Sequence, residues 1–130
     1  MRSWAVCFFL VLCSVAGPAR ANHRVALVIG SSQYSGKDAI PEVARDVQSV
    51  ANLLEERQFR VTTAQDRPRD ELRNLLQTFI DSTPVNGTAL IYFGGHSMTV
   101  KDNQGVFQGL LLTVDGNRNA IVLGELLEQV

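Results

Sequence analysis

His96 is the residue best placed, by type and by neighbours, to do chemistry. It follows Gly94-Gly95 and closes the apolar run Thr88-Ala-Leu-Ile-Tyr-Phe93. Imidazole is the side chain that gains and loses a proton near neutral pH. Two glycines before it let a substrate's backbone come close. A histidine in such a place serves as acid and base. The same residue type also caps loops or hydrogen-bonds a carbonyl with no catalytic part, and the sequence leaves both open. The other histidine, His23, lies two residues past a predicted cleavage point, where a chain end frays. Thiol chemistry finds no residue after position 13, because the two cysteines are Cys7 and Cys13. No thiolate and no second histidine stand near His96 to build a metal site. Gly30-Ser-Ser-Gln-Tyr-Ser35 lacks the G-x-G-x-x-G spacing of a dinucleotide loop. No metal and no cofactor are expected.

The elements that must position His96 alternate in kind. Val25-Ala-Leu-Val-Ile29 is a continuous apolar run ending at Gly30, the pattern of a strand buried on both faces. A polar loop over 31–40 leads to Pro41, which suits a helix first turn. Val43, Val47, Val50 and Leu54 then form the stripe of an amphipathic helix. Phe59 to Ala64 reads as a second strand. Asp66 is the expected cap of a second helix with Pro68 in its first turn and Leu72, Leu75, Leu76, Phe79 and Ile80 as its stripe. Thr88–Phe93 is the third strand. A loop is expected over 98–105, then a short hairpin within Val106–Val114 split near Gln108-Gly109, then a last helix starting at Ile121. Strand, helix, strand, helix, strand specifies an α/β fold with a mainly parallel sheet covered on both faces. Right-handed crossovers place the first strand between the second and third. Ligands and chemistry then gather beyond the carboxyl ends, at Gly30-Ser31-Ser32, Gln65-Asp66 and Gly94-Gly95-His96-Ser97.

The 130 residues amount to about one domain, and 45% apolar with 19% charged residues is a globular composition. A formal charge of −1 argues against a non-specific nucleic-acid binder. Residues 1–21 have the three-part layout of a signal peptide: Met1-Arg2-Ser3, the apolar stretch Trp4–Gly17, and Ala19-Arg20-Ala21 before the cut. An exported protein, secreted or periplasmic, with no membrane span after cleavage is the expectation. A lipoprotein signal at Cys13 and an uncleaved anchor are the alternatives. Leu12 is too large for the position before a lipoprotein cysteine. Cleavage removes both cysteines, so the mature part, 22–130, holds neither a disulfide nor a cysteine nucleophile.

Five stretches taken in order resemble the caspase-like cysteine peptidases, and their bacterial metacaspase-type branch most of all. They are Arg24–Gly30 with Tyr34, Ile40–Asp46, Leu53-Leu54 before Phe59-Arg60-Val61, Asp66–Leu72, and Ile91–Ser97, so the resemblance runs from about Arg24 to Leu127. It implies a three-layer caspase-like sandwich and hydrolysis of a protein or peptide substrate. It also implies His96 as the catalytic histidine beside a cysteine thiolate, with the backbone N–H of Ser97 as an oxyanion donor. Ser97 stands where the family usually has glycine, and would be strained if the loop needed a positive φ. Asp46 matches the acidic residue of the first specificity pocket in that branch, where a carboxylate selects Arg or Lys before the scissile bond. A solvated Asp on a helix face is the other reading. Arg45 replaces the usual Asn beside it and could neutralise the pocket.

The resemblance places the nucleophile at the end of a further strand, in an Asp-x-Cys setting. The sequence stops at Val130, within the helix expected before that strand. The expectation is therefore a domain missing its C-terminal part and its cysteine, inactive as written. A fragment, a natural truncation and a non-catalytic homologue that binds peptides or proteins remain open. An open sheet edge would favour self-association. A rival reading takes Gly95-His-Ser-Met-Thr99 as a near match to the G-x-S-x-G elbow, with Ser97 as a serine nucleophile. The loop-like Val100–Gly105 and Thr99 in place of the second glycine oppose it. So does geometry: adjacent residues of an extended chain point to opposite sides, which separates Ser97 from His96.

Overall fold

The computed structural model describes residues 23–115 and 120–128. The expected signal segment, 1–21, lies outside them. Strand β1 (Arg24–Gly30) is buried at every position after Arg24, as its unbroken apolar run requires. Helix α1 (Glu42–Glu56) buries Val43, Val47, Ala51 and Leu54, so of the stripe read from its spacing Val50 is only half-buried and Ala51 takes the inner position. Strand β2 (Arg60–Gln65), helix α2 (Arg69–Asp81) and strand β3 (Thr88–Gly94) follow. β1 pairs in parallel with both β2 and β3, giving the order β2-β1-β3 that right-handed crossovers demand.

Alternation along β1 divides the core. Val25, Leu27 and Ile29 pack with Leu72, Leu76 and Phe79 of α2 on one face. Ala26 and Val28 pack with Val43, Val47 and Leu54 of α1 on the other. Gly30 has to be glycine for α1 to lie this close: a Cβ there would fall 2.6 Å from Val47 Cγ2. The result is helix, sheet, helix, the α/β layering expected of the sequence.

A second, antiparallel sheet has the order β4-β5-β6, from β4 (Ser97–Lys101), β5 (Phe107–Leu111) and β6 (Ile121–Val122). Helix α3 (Leu123–Leu127) follows it directly. Two expectations change here. The hairpin is Ser97–Leu111, with its turn at 102–106 instead of near Gln108-Gly109, and a short strand precedes the last helix. The turn is built by a side chain. The Asp102 carboxylate accepts the N–H groups of Val106 and Gln104, each at 2.9 Å. Chiefly through the Val106 bond, these hold Asp102 below the usual carboxylate range. A polar run that reads as loop is thus a strand plus a carboxylate-stapled turn. Leu111 and Ile121 carry this sheet onto the α2 side of the core.

Leu76 is 0% exposed, whereas Leu53 on α1 is 51% exposed. Leu76→Ala is expected to lower the free energy of unfolding by roughly 2–5 kcal/mol, and Leu53→Ala to change it within about 0.5 kcal/mol. Urea titration of the two variants checks the contrast.

Candidate functional site

The strand registers bring Gly30, Gln65 and Gly94 level, so the three carboxyl ends open on one rim. The chain beyond β1 is fixed there. Ser31 N–H donates to Gly94 C=O at 2.8 Å, Asp66 N–H donates to Gly30 C=O at 2.8 Å, and Ile40 N–H donates to Ser32 C=O at 2.9 Å. The loop between β1 and α1 is therefore closed on itself.

Asp66 does not cap α2, as its position before Arg-Pro led us to expect. Its backbone takes a left-handed turn at φ 50°, which Asp tolerates, and its carboxylate faces the β1 loop. Oδ1 accepts Ser32 N–H at 2.7 Å and Gln33 N–H at 3.0 Å, and the Ser32 hydroxyl reaches Oδ1 at 3.1 Å and Oδ2 at 3.0 Å. Partial burial alone would raise this carboxyl. The Ser32 and Gln33 amides and the Ser32 hydroxyl outweigh that and hold it below the usual range. The first N–H of α2 turns instead to a distant residue, with Arg69 N–H donating to Asp115 Oδ2 at 3.4 Å.

The same loop grips His96 twice. Nε2 of His96 lies 2.8 Å from the Asp38 carbonyl oxygen. A carbonyl only accepts, so Nε2 carries the hydrogen and the neutral ring keeps its lone pair on Nδ1. The Tyr34 hydroxyl accepts His96 N–H at 3.0 Å and donates to Leu112 C=O at 2.8 Å. The Tyr34 and His96 rings stand 4.6 Å apart, tilted by 53°. A Cβ on Gly95 would fall 2.7 Å from that hydroxyl, so glycine is what lets it in.

Hairpin parity sets the direction of Ser97. Leu112 N–H donates to His96 C=O, and Asp102 N–H to Val106 C=O. His96 and Leu112 are therefore opposed as a hydrogen-bonded pair, and Ser97–Leu111 is a non-bonded pair. The Ser97 N–H points away from β5, on the side of β4 where the sheet has no neighbouring strand among the described residues. Ser97 is not among the residues with positive φ, so a serine sits here without strain. It opens strand β4, where an elbow needs a helix to start, which removes the nucleophile elbow.

The rim thus brings His96 and Ser97 together. Asp46 stands exposed on α1, and no hydrogen bond or ion pair joins it to His96 or to Arg45 among the described residues. Tyr34, the Asp38 carbonyl and the Asp66 carboxylate complete the arrangement and were not singled out as site residues. Tyr34 is visible only as a member of a resembling stretch, and Asp66 as an expected helix cap at a strand end. A backbone carbonyl leaves no side-chain signal at all. Among the described residues there is no group of three or more metal-ligating side chains, and no helix is long and apolar enough to cross a membrane.

A match to the caspase domain family covers residues 23–129. The chain belongs to the caspase domain family. The human mucosa-associated lymphoid tissue lymphoma translocation protein 1 is 30% identical over 76 residues, which is 58% of this chain and 9% of that protein. The chain thus spans a small part of that relative's length. The caspase-domain match takes in both sheets and all three helices, so the α/β sandwich described above is this chain's version of the caspase fold.

Asp66 supplies a pH test of the rim. Its folded-state pKa is depressed, so its contribution to stability is present above the unfolded-state value, near 3.8, and is lost as pH falls through the lower folded value. Wild-type stability is expected to fall with acid in that window. Asp66→Asn should be less stable at pH 7 and lack that part of the acid slope. Urea midpoints measured from pH 7 to pH 2 check this.

Proposed function

We propose that this domain carries the histidine half of an exported, metacaspase-type cysteine endopeptidase site. One observation carries the reading. His96 is held through Nε2 on the Asp38 carbonyl with Nδ1 left to take a proton, and the adjacent Ser97 N–H is turned to the open side of β4. An acid–base group and an oxyanion donor therefore sit side by side on one rim. Residues 22–130 contain no cysteine, so the thiol belongs to a segment outside them.

In the reaction this arrangement serves, His96 takes the thiol proton. The thiolate sulfur attacks the peptide carbonyl carbon, and the C=O electron pair moves to oxygen, where the Ser97 N–H meets it. As the C–N bond breaks, the His96 proton passes to the leaving amine. Water, deprotonated by the same imidazole, then cleaves the thioester, releasing the carboxylic acid and restoring the thiol. Asp46, exposed and without an ion pair among the described residues, is the group that would select Arg or Lys in the substrate. Export rests on the layout of residues 1–21. The outer edge of β3 has no neighbour among the described residues, and Ile91 on it is 43% exposed, which favours association through that edge.

The coding sequence downstream of the Val130 codon tests the reading. An open frame encoding an apolar strand that ends in Asp-x-Cys supports it. The longer chain should then cleave fluorogenic peptides ending in Arg or Lys. His96→Ala should lower kcat by roughly 10²–10⁴-fold. Asp46→Asn should lower kcat/KM for Arg-terminated peptides about ten-fold or more, while sparing Asp-terminated ones. A frame without cysteine overturns the peptidase reading and leaves a caspase homologue that binds peptides or proteins.

A further inference from the structure

We propose that Tyr34 is a positioning residue for His96, acting through its hydroxyl as an inserted rung of the β4–β5 ladder. The proposal rests on the reading of His96 as the working histidine of the rim.

In a regular antiparallel ladder, a bonded pair exchanges two direct N–H···O=C bonds. The pair His96–Leu112 exchanges one, from Leu112 N–H to His96 C=O at 3.0 Å. The other is split by the Tyr34 hydroxyl, which accepts from His96 N–H and donates to Leu112 C=O. One hydroxyl has one proton to give and lone pairs to receive, so both partners are satisfied. The same side chain lays its ring against the imidazole at 4.6 Å. Four residues on, the same loop presents the Asp38 carbonyl to Nε2. Backbone and ring of His96 are thus held by one segment, and that segment is fastened to Asp66 through Ser32 and Gln33.

Tyr34 is half-buried. Its hydroxyl reaches the hairpin past Gly95, at a place where any Cβ would displace it. Removing the hydroxyl leaves His96 N–H and Leu112 C=O either unpaired or closing onto each other. Either response moves the His96 backbone relative to the Asp38 carbonyl and frees the ring.

The test is nuclear magnetic resonance of the full chain, labelled with ¹⁵N, as wild type and as Tyr34→Phe and Gly95→Ala. The wild-type ring is expected to show Nε2 protonated, with its hydrogen protected from solvent, and Nδ1 bare. In Tyr34→Phe the amides of β1 should keep their shifts. The His96 amide should exchange about ten-fold faster or more, the loss of one hydrogen bond of ordinary strength. The protected Nε2–H signal should vanish. Gly95→Ala, which expels the hydroxyl but keeps the tyrosine, should reproduce the loss of the Nε2–H signal. An unchanged ring in both variants overturns the proposal. So does global unfolding of Tyr34→Phe, whether Gly95→Ala keeps the Nε2–H signal or unfolds as well, because Tyr34 then serves the fold and not the ring. None of these readouts needs a cysteine or peptidase turnover, so failure here and failure of the peptidase reading are separate results.

Discussion

A strand enclosed on both faces and both edges can offer only its ends, and β1 is such a strand. Every residue from Val25 to Gly30 is buried, with β2 and β3 in parallel on either side. At its carboxyl end the ladder runs out of partners, and buried backbone amides cannot go unsatisfied without a cost of about 1–3 kcal/mol each. The solution at this rim is local. Ser31 N–H finds Gly94 C=O, Gly30 C=O finds Asp66 N–H, and the Asp66 carboxylate collects the next two amides, Ser32 and Gln33. The loop that results leaves the sheet in one fixed direction, toward the end of β3. His96 stands there, so the rim's chemistry follows from how the sheet ends.

The small antiparallel sheet has to be attached to this frame without disturbing it. Its apolar contribution is Leu111 and Ile121, laid onto the α2 face of the core. Beside the Tyr34 bridge to Leu112, polar attachments fall at the start of α2. Arg69 donates its N–H to Asp115 and its Nε–H to Ala120 C=O at 3.2 Å. Pro68 at the cap position offers no side-chain acceptor, so a residue some forty-six positions later completes the helix end. The Arg73–Glu125 pair, at 3.6 Å and well exposed, adds little by comparison. The second sheet docks on the side of α2, and among the described residues Asp46 on α1 is open to solvent.

What could be read from the sequence follows from what makes a periodic signal. Val43, Val47 and Leu54, or Leu72, Leu76 and Phe79, announce a helix face because each is buried for the same reason. The unbroken Val25–Ile29 run announces a central strand. Features that depend on one side chain turning one way rather than another gave no such signal. Asp66-Arg-Pro reads as a helix cap, and the left-handed φ of Asp66 turns its carboxylate to the loop instead. Lys101–Val106 is polar and glycine-containing, and only the carboxylate of Asp102 makes it a tight turn between two strands. His96 was legible as a site candidate because a titratable residue closes an apolar strand. The acceptor that fixes its ring was not, because it is main chain.

The direction of the Ser97 N–H shows how little latitude the hairpin has. Even-numbered residues of β4 face β5 with their N–H and C=O groups, as the His96–Leu112 and Asp102–Val106 bonds require, and odd-numbered ones face away. A one-residue slip of β4 would turn Ser97 inward and consume its N–H in the ladder, and a one-residue slip of β5 would carry Leu111 off the core face. Burial of Leu111 beside Ile121 resists the slip at one end, and the Asp102 turn resists it at the other. One pair beyond Leu111, next to the rim, the Tyr34 hydroxyl bridges the two strands. The ladder therefore keeps its register up to the pair where one of its rungs is a side chain. That combination lets a loop from the parallel sheet enter the hairpin and hold the histidine without altering which amide faces the open side.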